Sequence, residues 1–97
     1  MRWTLERLKE KRKLILDIAA RYGASDIRVF GSVARGDGSE NSDIDLVVRF
    51  KEGTSLMDHG ELMEDLTEAL GCRVDIVSEG GMKDRFRANV EKEAVPL

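Results

Sequence analysis

Apolar residues recur along this chain with two different periods, and the switches between them divide it into segments. Leu5, Leu8, Ile15, Ile18, Ala19 and Tyr22 fall close to one helical stripe, which predicts a helix over about residues 4–22. Thr4 is placed to cap its start and Gly23 to end it. Period 2 then takes over in Asp26-Ile27-Arg28-Val29-Phe30, a strand with one buried face that stops at Gly31. Residues 32–36 start a short helix, and Asp37-Gly38-Ser39-Glu40-Asn41 has loop composition. Residues 43–50, Asp-Ile-Asp-Leu-Val-Val-Arg-Phe, read as a second strand, broken off by Gly53. Ser55 and Asp58 resemble a capping box with Asp in the Glu position. It opens an amphipathic helix through His59, Leu62, Met63, Leu66, Ala69 and Leu70 that closes at Gly71. Residues 72–77 give a third strand and Gly80-Gly81 a turn. Met82, Phe86 and Val90 then mark a last helix to about Glu93, which Pro96 cannot continue.

The connection between the first two strands is too short for a right-handed crossover, so they pair antiparallel. A whole helix joins the second strand to the third, which permits parallel pairing. The expected architecture is α/β: a small mixed sheet of three to four strands flanked by helices.

At 97 residues the chain is expected to form one domain over residues 1–97 with one modest core. No apolar run approaches the roughly 18–20 residues of a membrane span. The first residues lack the apolar stretch of a signal peptide, and a single cysteine, Cys72, allows no intrachain disulfide. A cytoplasmic location follows as the expectation. Net charge is −3, whereas a protein that tracks nucleic-acid phosphates carries a basic excess, so direct nucleic-acid binding is not expected. The basic island Lys9, Lys11, Arg12 and Lys13 reads as a solvated helix face interleaved with Glu6 and Glu10.

Three acids stand out against this background. Asp43 and Asp45 are two apart on a strand, so they project from one face while Ile44 and Leu46 project from the other. Two carboxylates about 6–7 Å apart repel by about 2–3 kcal/mol at an effective dielectric near 20. A cation between them relieves that repulsion, and Mg²⁺ commonly uses one or two carboxylates plus substrate phosphates. Asp75 is a lone acid inside an apolar strand. By itself it reads as a solvent-facing residue, but alongside the Asp43/Asp45 pair it becomes a third ligand. Three such carboxylates at one sheet edge can hold two divalent ions. Gly31-Ser32 ends a strand and starts a helix, where backbone N–H groups bind phosphate and glycine permits close approach. Arg35 is placed to pair with a triphosphate or with Asp37. Ser42 either shapes the start of the strand or donates to the adjoining carboxylate. His59 reads as a packing or solvated histidine, Cys72 as a core residue, and Met57, Met63 and Met82 as gap-filling core.

The pattern Gly31-Ser32-x-x-Arg35-Gly36-x5-Ser42-Asp43-x-Asp45-Leu46, with Asp75 on a later strand, resembles the signature of the DNA polymerase β-like nucleotidyltransferases. More closely, the chain resembles the minimal nucleotidyltransferases that serve as MNT-type antitoxins in HEPN–MNT toxin–antitoxin pairs. The resemblance implies the polymerase β-like palm fold and transfer of a nucleotidyl group from ATP with Mg²⁺, through two ions. Asp43 and Asp45 would bind metal, Asp75 would bind metal or act as base, and Gly31 and Ser32 would hold the triphosphate, with Arg35 and Ser42 beside them. The implied acceptor is a tyrosine hydroxyl of a cognate HEPN ribonuclease, which adenylylation blocks, and a hetero-oligomer with that toxin is implied as well. Such a partner also answers a problem of size, because a small chain that cradles a triphosphate has little surface left for an acceptor pocket. Two other readings stand beside this one: an antitoxin that neutralises its partner by binding alone, and a drug-modifying nucleotidyltransferase, for which a second domain is missing.

Overall fold

The first switch in period, from helix to strand, falls at Gly23, whose backbone is left-handed at φ +74°. The computed structural model describes residues 2–97. Its elements are α1 (Leu5–Glu10), α2 (Arg12–Arg21), β1 (Ala24–Phe30), α3 (Gly31–Arg35), β2 (Ile44–Phe50), α4 (Leu56–Leu70), β3 (Val74–Ser78), a 3-10 turn (Glu79–Gly81), α5 (Asp84–Glu93) and β4 (Val95–Pro96). They form one four-stranded mixed sheet in the order β3-β2-β1-β4. β1 pairs antiparallel with β2 and β4, and β2 pairs parallel with β3, as the lengths of the connections require. Among the described residues no helix is long and apolar enough to cross a membrane.

The strand alternation sorts side chains onto two faces. Ile27, Val29, Ile44, Leu46, Val48, Val74 and Ile76 face the main core, against Leu8, Ile15, Ile18 and Ala19 of α1 and α2 and Leu62, Leu66 and Leu70 of α4. The opposite face carries a smaller cluster, Val47 with Met82 and Val90, flanked by Phe30, Val77 and Ala94 under α5. Phe30 and Phe86 meet edge to face there, with centroids 6.2 Å apart. Tyr22 donates to Asp65, tying α2 to α4; that bond, more than burial, pushes the phenol up to about 12.

Local signals set the helix ends. The Thr4 side chain accepts from Arg7 N–H at 3.2 Å. Ser55 and Asp58 complete a reciprocal capping box, and Gly71 closes α4 in the left-handed region at φ +71°.

Four details depart from the sequence expectations. The helix over residues 4–22 is two helices, parted at Lys11, whose N–H bonds back only three residues to Leu8 O at 3.0 Å. The five consecutive charges at residues 9–13 offer no apolar side chain to hold that turn against the core. Met57 is not core: it is 73% exposed. Ser55 starts the helix so that Leu62 defines the inner face, and Met57, five residues earlier, points about 140° away. Phe86 and Val90 lie on α5, but Met82 sits before that helix, buried in the smaller cluster. The tail beyond Pro96 is tied down: Val95–Pro96 adds β4 to the outer side of β1, and Leu97 N–H reaches Ile27 O at 3.0 Å. An edge strand tolerates proline's missing donor.

Candidate active site

Antiparallel pairing brings the end of β1 to the start of β2, and parallel pairing brings the start of β3 beside the start of β2 on its other side. Phe30 is opposite Asp45, and Asp45 is opposite Asp75. Asp43 precedes β2 by one residue. The three acids therefore meet at one edge of the sheet, on the face that bears the smaller cluster.

Gly31 follows Phe30 directly, at φ +74°. A Cβ there would stand 2.5 Å from Asp45 Oδ2, so only glycine lets the chain pass this close to the carboxylate. Gly31 opens α3, whose first N–H groups are therefore presented next to Asp45. The loop after α3 folds back over this turn. Asp37 N–H bonds to Ser32 O at 3.1 Å. Gly38 is buried, and a Cβ on it would lie 3.6 Å from Ser32 Oγ and 3.7 Å from Ser42 Oγ, which places both hydroxyls around one small residue. Ser42 Oγ accepts from Ser39 N–H at 2.8 Å, so this hydroxyl shapes the approach to β2.

Arg35, at the end of α3, is held by two acids, Asp37 at 3.2 Å and Glu93 of α5 at 3.4 Å. It is still close enough to act on Asp45. The Asp45 carboxyl is pushed above the ordinary aspartate range, first by burial, then by the charges of Asp75 and Asp43, with Arg35 pulling the other way. Arg73 was not singled out by the sequence, yet its Nε lies 3.4 Å from Asp75 and 3.8 Å from Asp43. The parity that joins Asp43 to Asp45 also joins Arg73 to Asp75, and that was the available signal.

The donor set suits a hard cation, being all carboxylate oxygen with an excess of negative charge. Among the described residues no three His, Cys, Asp or Glu side chains converge into a complete cage. A cleft of about 340 Å³ lies between Trp3, Leu5, Val33, Ala34, Arg35 and Gly38; it includes the candidate Arg35 but none of the three acids. His59 packs against Phe50 and its Nε2 lies 2.8 Å from Ile76 O, a structural placement. Burial, with Asp43 second, raises the Cys72 thiol, which makes it a poor nucleophile.

This combination of a mixed sheet, a glycine turn against an aspartate and acids in register across two strands defines a class of protein. The nucleotidyltransferase domain family matches residues 3–97, and the chain belongs to that family. The protein adenylyltransferase MntA of Thermococcus cleftensis is 40% identical over 79 residues, covering 81% of this chain and 80% of its own. A solved minimal nucleotidyltransferase superposes with a TM-score of 0.87 at 52% identity, covering 98% of this chain and 97% of that one. A chain of the solved complex of a tri-AMPylated Shewanella oneidensis HEPN toxin with MNT antitoxin shares the fold, with a TM-score of 0.71 at 20% identity over 91% of this chain and 69% of that one.

Proposed function

We propose that this chain transfers AMP from ATP to a tyrosine hydroxyl of a cognate HEPN-type ribonuclease and so neutralises it. The observation that carries this reading is the direct register of Asp45 with Asp75, with the Gly31 backbone pressed against the Asp45 carboxylate. In this reading Gly31 and Ser32 cradle the terminal phosphates with backbone N–H groups and the Ser32 hydroxyl, and the Ser42-braced loop holds that turn in shape. Arg35 leaves Asp37 and Glu93 to pair with phosphate oxygen, a stronger partner for a guanidinium than an exposed carboxylate. Asp43 and Asp45 would hold Mg²⁺, and Asp75 would complete the metal site or accept the proton of the incoming hydroxyl. Two Mg²⁺ ions bound there supply charge stabilisation for the attacking oxygen and the departing pyrophosphate. The tyrosine oxygen forms a bond to the α-phosphorus as the bond to pyrophosphate breaks, and the tyrosine proton passes to the base. In this reading the partner supplies both the hydroxyl and the wall that excludes water.

The family relationship to an adenylyltransferase supports the reaction, and the fold shared with the HEPN–MNT complex supports the partner. Intact-mass measurement of the partner after incubation with ATP and Mg²⁺ tests both. One or more adenylyl additions are expected, and Asp43→Asn abolishes them. Transfer undiminished by that change removes Asp43 from the site. A triple Asp→Asn variant that protects cells as well as the wild type would replace catalysis by neutralisation through binding alone.

A further inference from the structure

The proposed transfer leaves Arg73 without a task, yet Arg73 touches two of its three acids. Its Nε stands 3.4 Å from Asp75 and 3.8 Å from Asp43, on the face those acids share. The side chain is 72% exposed, and among the described residues its ion pairs are with these two acids. A guanidinium carries one delocalised charge and donates hydrogen bonds. It neutralises a carboxylate pair but cannot draw their oxygens to the 2.0–2.1 Å that Mg²⁺ demands.

We propose that Arg73 is a positioning residue, a resident counter-ion that spans Asp43 and Asp75 in the metal-free protein and is displaced when a divalent cation enters. This rests on the metal reading of the three acids. In the metal-free protein Arg73 keeps the carboxylates facing one another against their repulsion. On loading it opposes the incoming ion, because two ion pairs must break before the oxygens can turn inward. Arg73 thus lowers the affinity of the bare protein for metal, and it favours entry of the cation together with a nucleotide, whose phosphates bring their own attraction.

The test is calorimetric titration of MgCl₂ into the wild type, Arg73→Gln and Arg73→Lys at fixed ionic strength, without nucleotide, beside metal-free thermal melts. Two exposed ion pairs of ordinary strength correspond to an Arg73→Gln protein that binds Mg²⁺ about three- to tenfold more tightly than wild type. The same variant melts lower without metal and gains more on adding it. Arg73→Lys, which keeps the charge, returns both quantities toward wild type. Equal or weaker Mg²⁺ affinity in Arg73→Gln overturns the role of Arg73 and leaves the metal site standing. Absence of Mg²⁺ binding in all three proteins overturns this proposal, and absence that persists when a non-hydrolysable ATP analogue is added overturns the metal site as well.

Discussion

Replacing Asp45 by Asn is the sharpest physical test of the acid edge, because it removes one charge and preserves the shape. Asp45 and Asp75 are directly opposite on parallel strands, where neighbouring backbones lie about 4.8 Å apart. Carboxylates about 6 Å apart repel by about 3 kcal/mol at an effective dielectric of 20 and by about 0.7 kcal/mol in water. Asp75 and Asp43 are 35% and 40% exposed, which draws the value toward the lower end. Arg35 and Arg73 offset part of the remainder. A net gain of about 1 kcal/mol is expected for Asp45→Asn without metal, or about 4–8 °C in Tm for a domain of this size. The sign in pH follows from the raised Asp45 carboxyl. The folded state binds that proton more tightly than the unfolded chain does, so the wild type is favoured below the ordinary value of 3.8 and loses stability as pH rises through the raised one. The advantage of Asn is therefore full at pH 7 and fades as pH falls toward 3.8. Melts in a chelating buffer across that range measure it. An Asp45→Asn protein no more stable than wild type at pH 7, or an advantage that persists unchanged in acid, would show that the three carboxylates do not share a field.

Gly31→Ala meets both a left-handed backbone and the Asp45 carboxylate, with a Cβ placed 2.5 Å from Oδ2; a loss of about 2 kcal/mol or more is expected. Because the collision involves a side chain, a chemical-denaturation cycle with Asp45→Ala should recover part of that loss, and strict additivity would mean the approach is not close. Leu62→Ala empties a fully buried position and should cost about 2–5 kcal/mol, whereas Met57→Lys on the exposed side of the same helix should stay within about 0.5 kcal/mol by urea titration.

Much of this fold was legible because parity and caps are short-range signals. Ile44, Leu46 and Val48 announce one face of β2, and Ser55, Asp58 and Gly71 bound α4 without reference to anything distant. What escaped depends on partners far along the chain. Val95–Pro96 is too short to show a period and becomes a strand only because β1 has a vacant side. The break at Lys11 reflects a turn with nothing to pack on. Arg73 became visible only when Asp43 and Asp75, 32 residues apart in sequence, were set side by side. Of the candidate site residues, Gly31, Ser32 and the three acids are gathered at one edge. Arg35 is held by acids of α5 and the following loop, and the Ser42 hydroxyl is turned into the backbone of its own loop.

The alternation along β2 also acts as an error check on assembly. Ile44, Leu46 and Val48 are wholly inside, so a slip of one residue in pairing would push Asp43 and Asp45 into the main core and turn three aliphatic side chains onto the face of the acids. No compact misaligned form can tolerate that exchange. A molecule that has closed its core has, by the same event, aligned its three acids, and a chain with a misbuilt site is an unfolded chain. Quality control that recognises exposed hydrophobic surface would thus remove copies whose acids are misaligned.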